Sequence, residues 1–291
     1  MDQETNQQLA RGGVQAATPS DAVDSSTVVL LRTAEHDAAA PMEVLLLERH
    51  KKSKAYAGAF VFPGGKVDDT DRWMDPLCVA DVDLEQWMQR LGSDDEEAAR
   101  GFLVASVRET FEEAGVLLAN HRDGTPVTQE DLLSPSFVTA RARLVSREDN
   151  FDWTGWLVQE GLVLSIDQLG LWSWWVTPVH RPYRFDTRFF VGMLPAGQQA
   201  TVDDYETTSM RWLAPATALE EYEAGRVSMR NPTLRNLEAL LPYASAQAVM
   251  DAVSSGAVTV RRMQPTVSYI DGEPVVVNDL DAPIQTELPT R

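Results

Sequence analysis

The sequence predicts an α/β fold, because short β-prone runs, one strongly patterned helix and later strand and helix patterns alternate along the chain. The runs 27–31 and 44–47 are brief, β-branched or leucine-rich, and separated by a polar loop holding Pro41, which marks adjacent strands. Residues 59–62 form a third short strand, stopped by Pro63, Gly64 and Gly65. Residues 66–100 differ: acids are frequent, and Trp73 and Trp87 sit among polar neighbours. A short helix fits 83–91, and Asp94, Asp95, Glu96 and Glu97 suit the negative first turn of another. From Gly101 a clear helix runs to Ala114 and ends at Gly115, a residue suited to a left-handed cap. Strands follow around 171–178, 189–194 and 210–213, with helical patterns at 216–224, 233–241 and 246–254. Residues 1–25 are polar and aperiodic and read as a disordered lead-in.

Bulk properties narrow the function classes. A chain of 291 residues with 44% hydrophobic content can bury a real core in one enlarged domain. No apolar run approaches the roughly 20 residues that span a bilayer, and the polar start lacks a signal-peptide core, so a soluble cytoplasmic protein is expected. The single cysteine, Cys78, excludes an internal disulfide framework and a multi-cysteine zinc site. A net charge of −19, from 25 basic and 44 acidic residues, argues against a broad nucleic-acid surface. The same field repels phosphate substrates, so bound metal or local cations must offset it. Arg49, Lys51 and Lys52, and the series Arg181, Arg184 and Arg188, are the candidates, although either cluster alone reads as solvated surface.

The 101–114 helix carries the chemistry. At about 100° per residue, Leu103, Val107, Phe111 and Ala114 share one stripe, while Glu109, Glu112 and Glu113 gather on the other side. Close carboxylates repel one another, a cost that a divalent cation reverses, and all-oxygen sites suit Mg²⁺ or Mn²⁺. Arg108, four residues before Glu112, can hold that carboxylate in place. A bare EXXEE pattern still reads better as a solvated acidic face; its context changes the balance.

Phe62, Pro63, Gly64, Gly65 and Lys66 ahead of the helix, and Arg108 through Val116 within and after it, resemble the two halves of a Nudix box, GX5EX7REUXEEXGU, U being a bulky aliphatic. The resemblance implies the Nudix α/β/α sandwich, with a mixed sheet between helices, and metal-dependent hydrolysis of a diphosphate. It implies Glu109, Glu112 and Glu113 as metal ligands or base, with the Gly64 carbonyl contributing. The box is split: Gly65 and Arg108 stand 43 positions apart, where the standard spacing is roughly 14, so about 29 residues are inserted. Counting back from Arg108, the first glutamate of the pattern falls on Arg100, with Glu96 and Glu97 nearby, and Thr110 takes an aliphatic position. The split box is similar to that of the coenzyme A diphosphatase branch, and the likeness continues in 172–178, 184–190 and 206–212. It implies coenzyme A or an acyl-CoA as substrate, cleaved to adenosine bisphosphate and phosphopantetheine. A Nudix enzyme for ADP-ribose, dinucleotides or nucleoside triphosphates is the nearest rival, and a non-catalytic nucleotide sensor the next. The terminal Leu288, Pro289, Thr290 and Arg291 make no peroxisomal address, in keeping with a cytoplasmic relative.

Secondary positions complete the expectation. Glu206, six residues before Trp212, takes the place where Nudix enzymes often add a ligand or base, with Asp203 and Asp204 as rivals. Arg184, and less so Arg188, can grip phosphate oxygens as bidentate guanidinium groups, although an Arg184–Asp186 pair explains the same residues. Trp172, Trp174 and Trp175 read as core more readily than as an adenine platform. The expected organisation is the lead-in, a Nudix domain over 26–222 with its insertion at about 66–100, and a C-terminal helical extension over 223–291 packed on the domain. The partner is a small nucleotide-diphosphate, without nucleic acid or membrane, and homodimer formation stays open.

Overall fold

The structure, a computed structural model, describes residues 21–34, 42–50, 58–146, 151–179, 181, 183–203, 205, 207–270, 273–277 and 285–286. Among the described residues no helix is long and apolar enough to cross a membrane.

Two strands, β1 (Val23–Thr33) and β2 (Met42–Arg49), are apolar on both faces. Side chains alternate across a strand, so Val28, Leu30, Leu45 and Leu47 enter one core, while Val29, Leu31, Val44 and Leu46 enter another. Such strands read as continuous hydrophobic runs because helices cover both sides. β3 (Ala59–Val61) pairs with β2, after which the chain breaks at Pro63 and re-pairs with β1 as β4 (Gly64–Lys66). Pro63 has no N–H for a ladder, and its carbonyl accepts from Val28 N at 2.9 Å. The glycine pair expected to stop a strand therefore begins a new one. β5 (Ala119–His121) and β6 (Leu162–Leu164) form a small separate sheet. β7 (Gly170–Val176) is antiparallel to β8 (Phe185–Met193), which runs parallel to β1 along its length. β9 (Thr207–Leu213) pairs with β2, β10 (Ser228–Met229) with β3, and, beyond β11 (Val258–Thr259), β12 (Arg262–Met263) with β7. The result is a mixed nine-stranded sheet.

One face carries α1 (Asp69–Arg72), α2 (Leu84–Leu91), α3 (Glu96–Ala114), α4 (Gln129–Leu133), α5 (Pro135–Ser146) and α6 (Trp153–Glu160). The other carries α7 (Pro215–Glu223), α8 (Asn231–Leu240) and α9 (Ala246–Ser254), which completes the α/β/α sandwich. The acidic stretch before Gly101 is no separate helix. Asp95 caps α3 by accepting from Ala98 N, Glu96 and Glu97 fill its first turn, and 19 residues run unbroken to the left-handed Gly115.

The insertion does not project from the domain. Its Met74, Cys78, Trp87 and Leu91 join the core that holds Phe102 and Leu103. Gly101 lets α1 press against α3, since a Cβ there would lie 2.8 Å from the Arg72 side chain and 2.9 Å from Val67. Likewise, α8 and α9 are more than an extension. Leu237, Leu240, Val249 and Val253 pack with Trp172 and Trp175 and form the second helical layer. Leu237→Ala should therefore cost about 2–5 kcal/mol in urea denaturation, within one cooperative transition. A separate early transition for α8 and α9 would show instead that they merely dock on the domain.

Candidate active site

From Gly101 to Ala114, every residue of α3 is buried. Glu109, Glu112 and Glu113 are 2%, 4% and 4% exposed, which rules out a solvated acidic face. They lie against the Gly64–Gly65 strand start. Gly64 N donates to Glu113 Oε2 at 3.0 Å. Neither glycine has a positive φ; both are needed for close approach. A Cβ on Gly65 would sit 2.4 Å from Glu109 Oε1, and one on Gly64 would sit 2.5 Å from Ser26 O.

Arg108 organises this cluster. Its Nη1 donates to Glu109 Oε1 at 2.9 Å and to Glu112 Oε1 at 2.6 Å. Its Nε and Nη2 each donate to one Asp71 carboxylate oxygen at 2.8 Å, and Nη2 also reaches Lys66 O at 2.8 Å. Burial alone would lower the guanidinium pKa, but the charges of Glu109, Asp71 and Glu112 outweigh it and hold the pKa well above its ordinary value. Burial pushes the Asp71 carboxyl up, against the pull of Arg108. Arg108, predicted among the catalytic groups, is thus a positioning residue: its donors are engaged in aiming the carboxylates.

Asp71 is the functional residue that the sequence reading missed. It is fully buried and stands six positions after Gly65, where the pattern GX5E places its first acid. Counting back from Arg108 crosses the insertion and lands on Arg100; counting forward from Gly65 finds the acid, shortened to aspartate. The added residues therefore begin after Asp71, since 36 residues separate it from Arg108 where the pattern has seven. Arg141 was also missed. Its Nε donates to Glu112 O at 3.0 Å, and its Nη1 and Nη2 bond Thr201 at 2.7 and 2.8 Å, placing a cation at the negative end of α3.

Arg188, one of the candidate substrate cations, is engaged in the protein's own contacts. It is buried between the rings of Trp174 and Phe102, 3.9 and 4.3 Å from their centroids. Its Nε and Nη2 donate to Leu91 O at 3.1 and 2.8 Å, and its Nη1 bonds Asp186. Asp186 thus pairs with Arg188, so the alternative of an Arg184–Asp186 pair is replaced by this one. Arg184 lies largely buried at the foot of β8, where its Nε donates to Thr177 O at 3.1 Å. Arg49 ends β2 opposite Thr207, and its buried Nε has no hydrogen-bond partner among the described residues. Asp203 caps its own loop, accepting from Tyr205 N at 2.6 Å and Thr207 N at 3.1 Å. Glu206, Asp204, Lys51 and Lys52 lie outside the described residues. Trp172 and Trp175 are core, and Trp174 covers Arg188.

Among the described residues no three acidic, imidazole or thiol groups already converge as a metal-binding set. Glu109 and Glu112 lean on Arg108, and Glu113 on the Gly64 amide. The donor chemistry nevertheless fits a hard divalent cation. Glu109, Glu112 and Glu113 bring three buried carboxylates together beside the Gly64–Gly65 strand, an all-oxygen donor set of the kind that such an ion takes.

Comparison with known proteins agrees with this geometry. The sequence model of the NUDT19 Nudix domain matches residues 92–240. The acyl-coenzyme A diphosphatase NUDT19 of Xenopus laevis is 29% identical over 233 residues, covering 69% of this chain and 60% of that protein. The human protein of the same name is 28% identical over 232 residues, covering 69% of this chain and 61% of that protein. The chain thus spans about three fifths of the length of these curated relatives. The crystal structure of a Nudix hydrolase from Alicyclobacillus acidocaldarius superposes with a TM-score of 0.64 at 27% identity, covering 80% of this chain and 97% of that one.

The clamp between Asp71 and Arg108 has a measurable worth. Removing one partner of a buried pair leaves an uncompensated charge, so Asp71→Ala is expected to cost about 3–5 kcal/mol in urea denaturation. An unchanged midpoint would show that the clamp does not hold the insertion to α3.

Proposed function

The chain belongs to the NUDT19 Nudix family, and from that premise we propose that it hydrolyses the diphosphate of coenzyme A or an acyl-CoA. The observation that carries this reading is the trio Glu109, Glu112 and Glu113, buried around Gly64–Gly65, the first two held by Arg108 and the third by the Gly64 amide. The substrate class is supported by relatives named acyl-coenzyme A diphosphatase in frog, chicken and human. Water attacks one phosphorus, the bridging P–O bond breaks, and adenosine bisphosphate and (acyl)phosphopantetheine leave. A divalent ion, Mg²⁺ or Mn²⁺, held by the three glutamates with the Gly64 carbonyl, would neutralise charge on the diphosphate oxygens.

The chain's own groups do the remainder. Arg108 keeps two carboxylates from repelling apart. One carboxylate, of Glu109, Glu113 or Glu206, takes the proton of the attacking water. Arg49 and Arg184 are the local cations that offset the −19 net charge for an anionic substrate. Arg49 is the better placed of the two, because it is only partly buried where Arg184 is buried.

Glu112→Gln and Glu113→Gln remove ligand charge but keep shape, so each is expected to lower turnover by orders of magnitude in a folded protein. Near-normal activity in both, at matched metal concentration, would refute the metal site. Mass spectrometry should show phosphopantetheine appearing in step with adenosine bisphosphate. Faster turnover of ADP-ribose, with no phosphopantetheine formed, would overturn the coenzyme A assignment alone.

A further inference from the structure

Beside the C-terminal end of α3 lies a cavity of about 450 Å³, bounded by α5 on one side and by residues 199–203 and Tyr205 on the other. Its volume falls within the roughly 300–1,000 Å³ of small-molecule sites. Phe111 and Gly115 line its floor, and Arg141, tied to Glu112 O and Thr201, forms part of its wall. The cavity therefore adjoins the helix that carries the carboxylates.

The shape favours a linear ligand. Along α5 the lining runs from Val138 to Ser146, a span of about 12 Å at roughly 1.5 Å per residue. Its aliphatic side chains include Val138, Ala142 and Val145 along α5, and Leu133 and Val138 stand 69% and 52% exposed at its border. A purine would call for stacking rings. Of the two aromatic residues in the lining, Phe111 already stacks on Trp153 and Trp156, with centroids 6.0 and 6.2 Å away. Tyr205 remains at the rim, 65% exposed. Gln129, Ser146, Gln199, Thr201 and Asp203 add polar groups that suit the amides of an otherwise apolar chain.

We propose that this groove holds the acyl-pantetheine arm of the substrate, so that Val138, Ala142 and Val145 set the preference for acyl chains. The proposal rests on the acyl-CoA reading above and names the site that would select within that class. Its physical basis is separate: a groove beside the catalytic helix, with exposed aliphatic groups on one wall that a hydrocarbon tail would cover.

Ala142→Trp fills the groove and Val138→Asp charges it, both from exposed positions on α5 outside the carboxylate cluster. Binding of S-octanoyl-pantetheine, which has no diphosphate, is measured by calorimetry without added metal. Turnover of coenzyme A and octanoyl-CoA is measured in parallel, with an unchanged Tm and a mild Val138→Ala variant as controls. The natural protein should bind octanoyl-pantetheine, and each variant should bind it at least about tenfold more weakly. The kcat/KM ratio of octanoyl-CoA to coenzyme A should fall by a similar factor. No binding by the natural protein, or equal binding by the variants, overturns the groove proposal even if coenzyme A is hydrolysed. Binding that the variants abolish, with no hydrolysis of any coenzyme A substrate, upholds the groove and removes the diphosphatase reading.

Discussion

The site depends on one guanidinium. Four carboxylates, those of Asp71, Glu109, Glu112 and Glu113, are buried within a few ångströms of the α3 backbone or its partners, and Arg108 contacts three of them. Buried charges of one sign are expensive without compensation. Arg108 meets that requirement with a planar fork, two N–H groups on Asp71 and one shared by two glutamates. A lysine at that position could neutralise charge but could not hold these separate carboxylates in fixed directions.

The same contact makes the long insertion harmless. Asp71 stands just ahead of it, so the chain is bolted to the box before the excursion begins. At the far end, Leu91 O receives two bonds from Arg188, and Gly92 turns in a left-handed conformation against Trp174. Between those anchors Met74, Cys78 and Trp87 enter the common core. An insertion pinned at both ends and filled with apolar side chains adds buried surface without disturbing the helix it interrupts.

The α/β alternation was legible because β1 and β2 carry short apolar runs and α3 has a clear period and cap, whereas the sandwich itself followed from the resemblance of the split box. The glutamates were legible from spacing, but their burial was not. Helical periodicity places residues on a face without saying what lies over it, and here β4 covers that face. Asp71 was hidden because the motif is interrupted and only one of its two counting directions survives. Arg188 looked like a phosphate ligand because a guanidinium stacked between aromatic rings has the same sequence appearance as an exposed one. That the C-terminal helices pack on the domain was expected, but their partners, Trp172 and Trp175, lie about 65 residues earlier and could not be read from local pattern.

The parallel pairing of β1 with β8 has a consequence for biosynthesis. The register begins with Val23 opposite Phe185, so β1 waits 162 residues for that neighbour. At about 5–20 residues per second, the delay on the ribosome is roughly 8–30 s. Throughout it β1 presents an open, strongly apolar edge, the kind of template that recruits other nascent strands. β2 and β4 can occupy its opposite edge early, since both lie within the next 45 residues. The edge awaiting β8 has no such local cover, and the pronounced acidity of the chain, −19 overall, acts there as mutual repulsion between incomplete molecules.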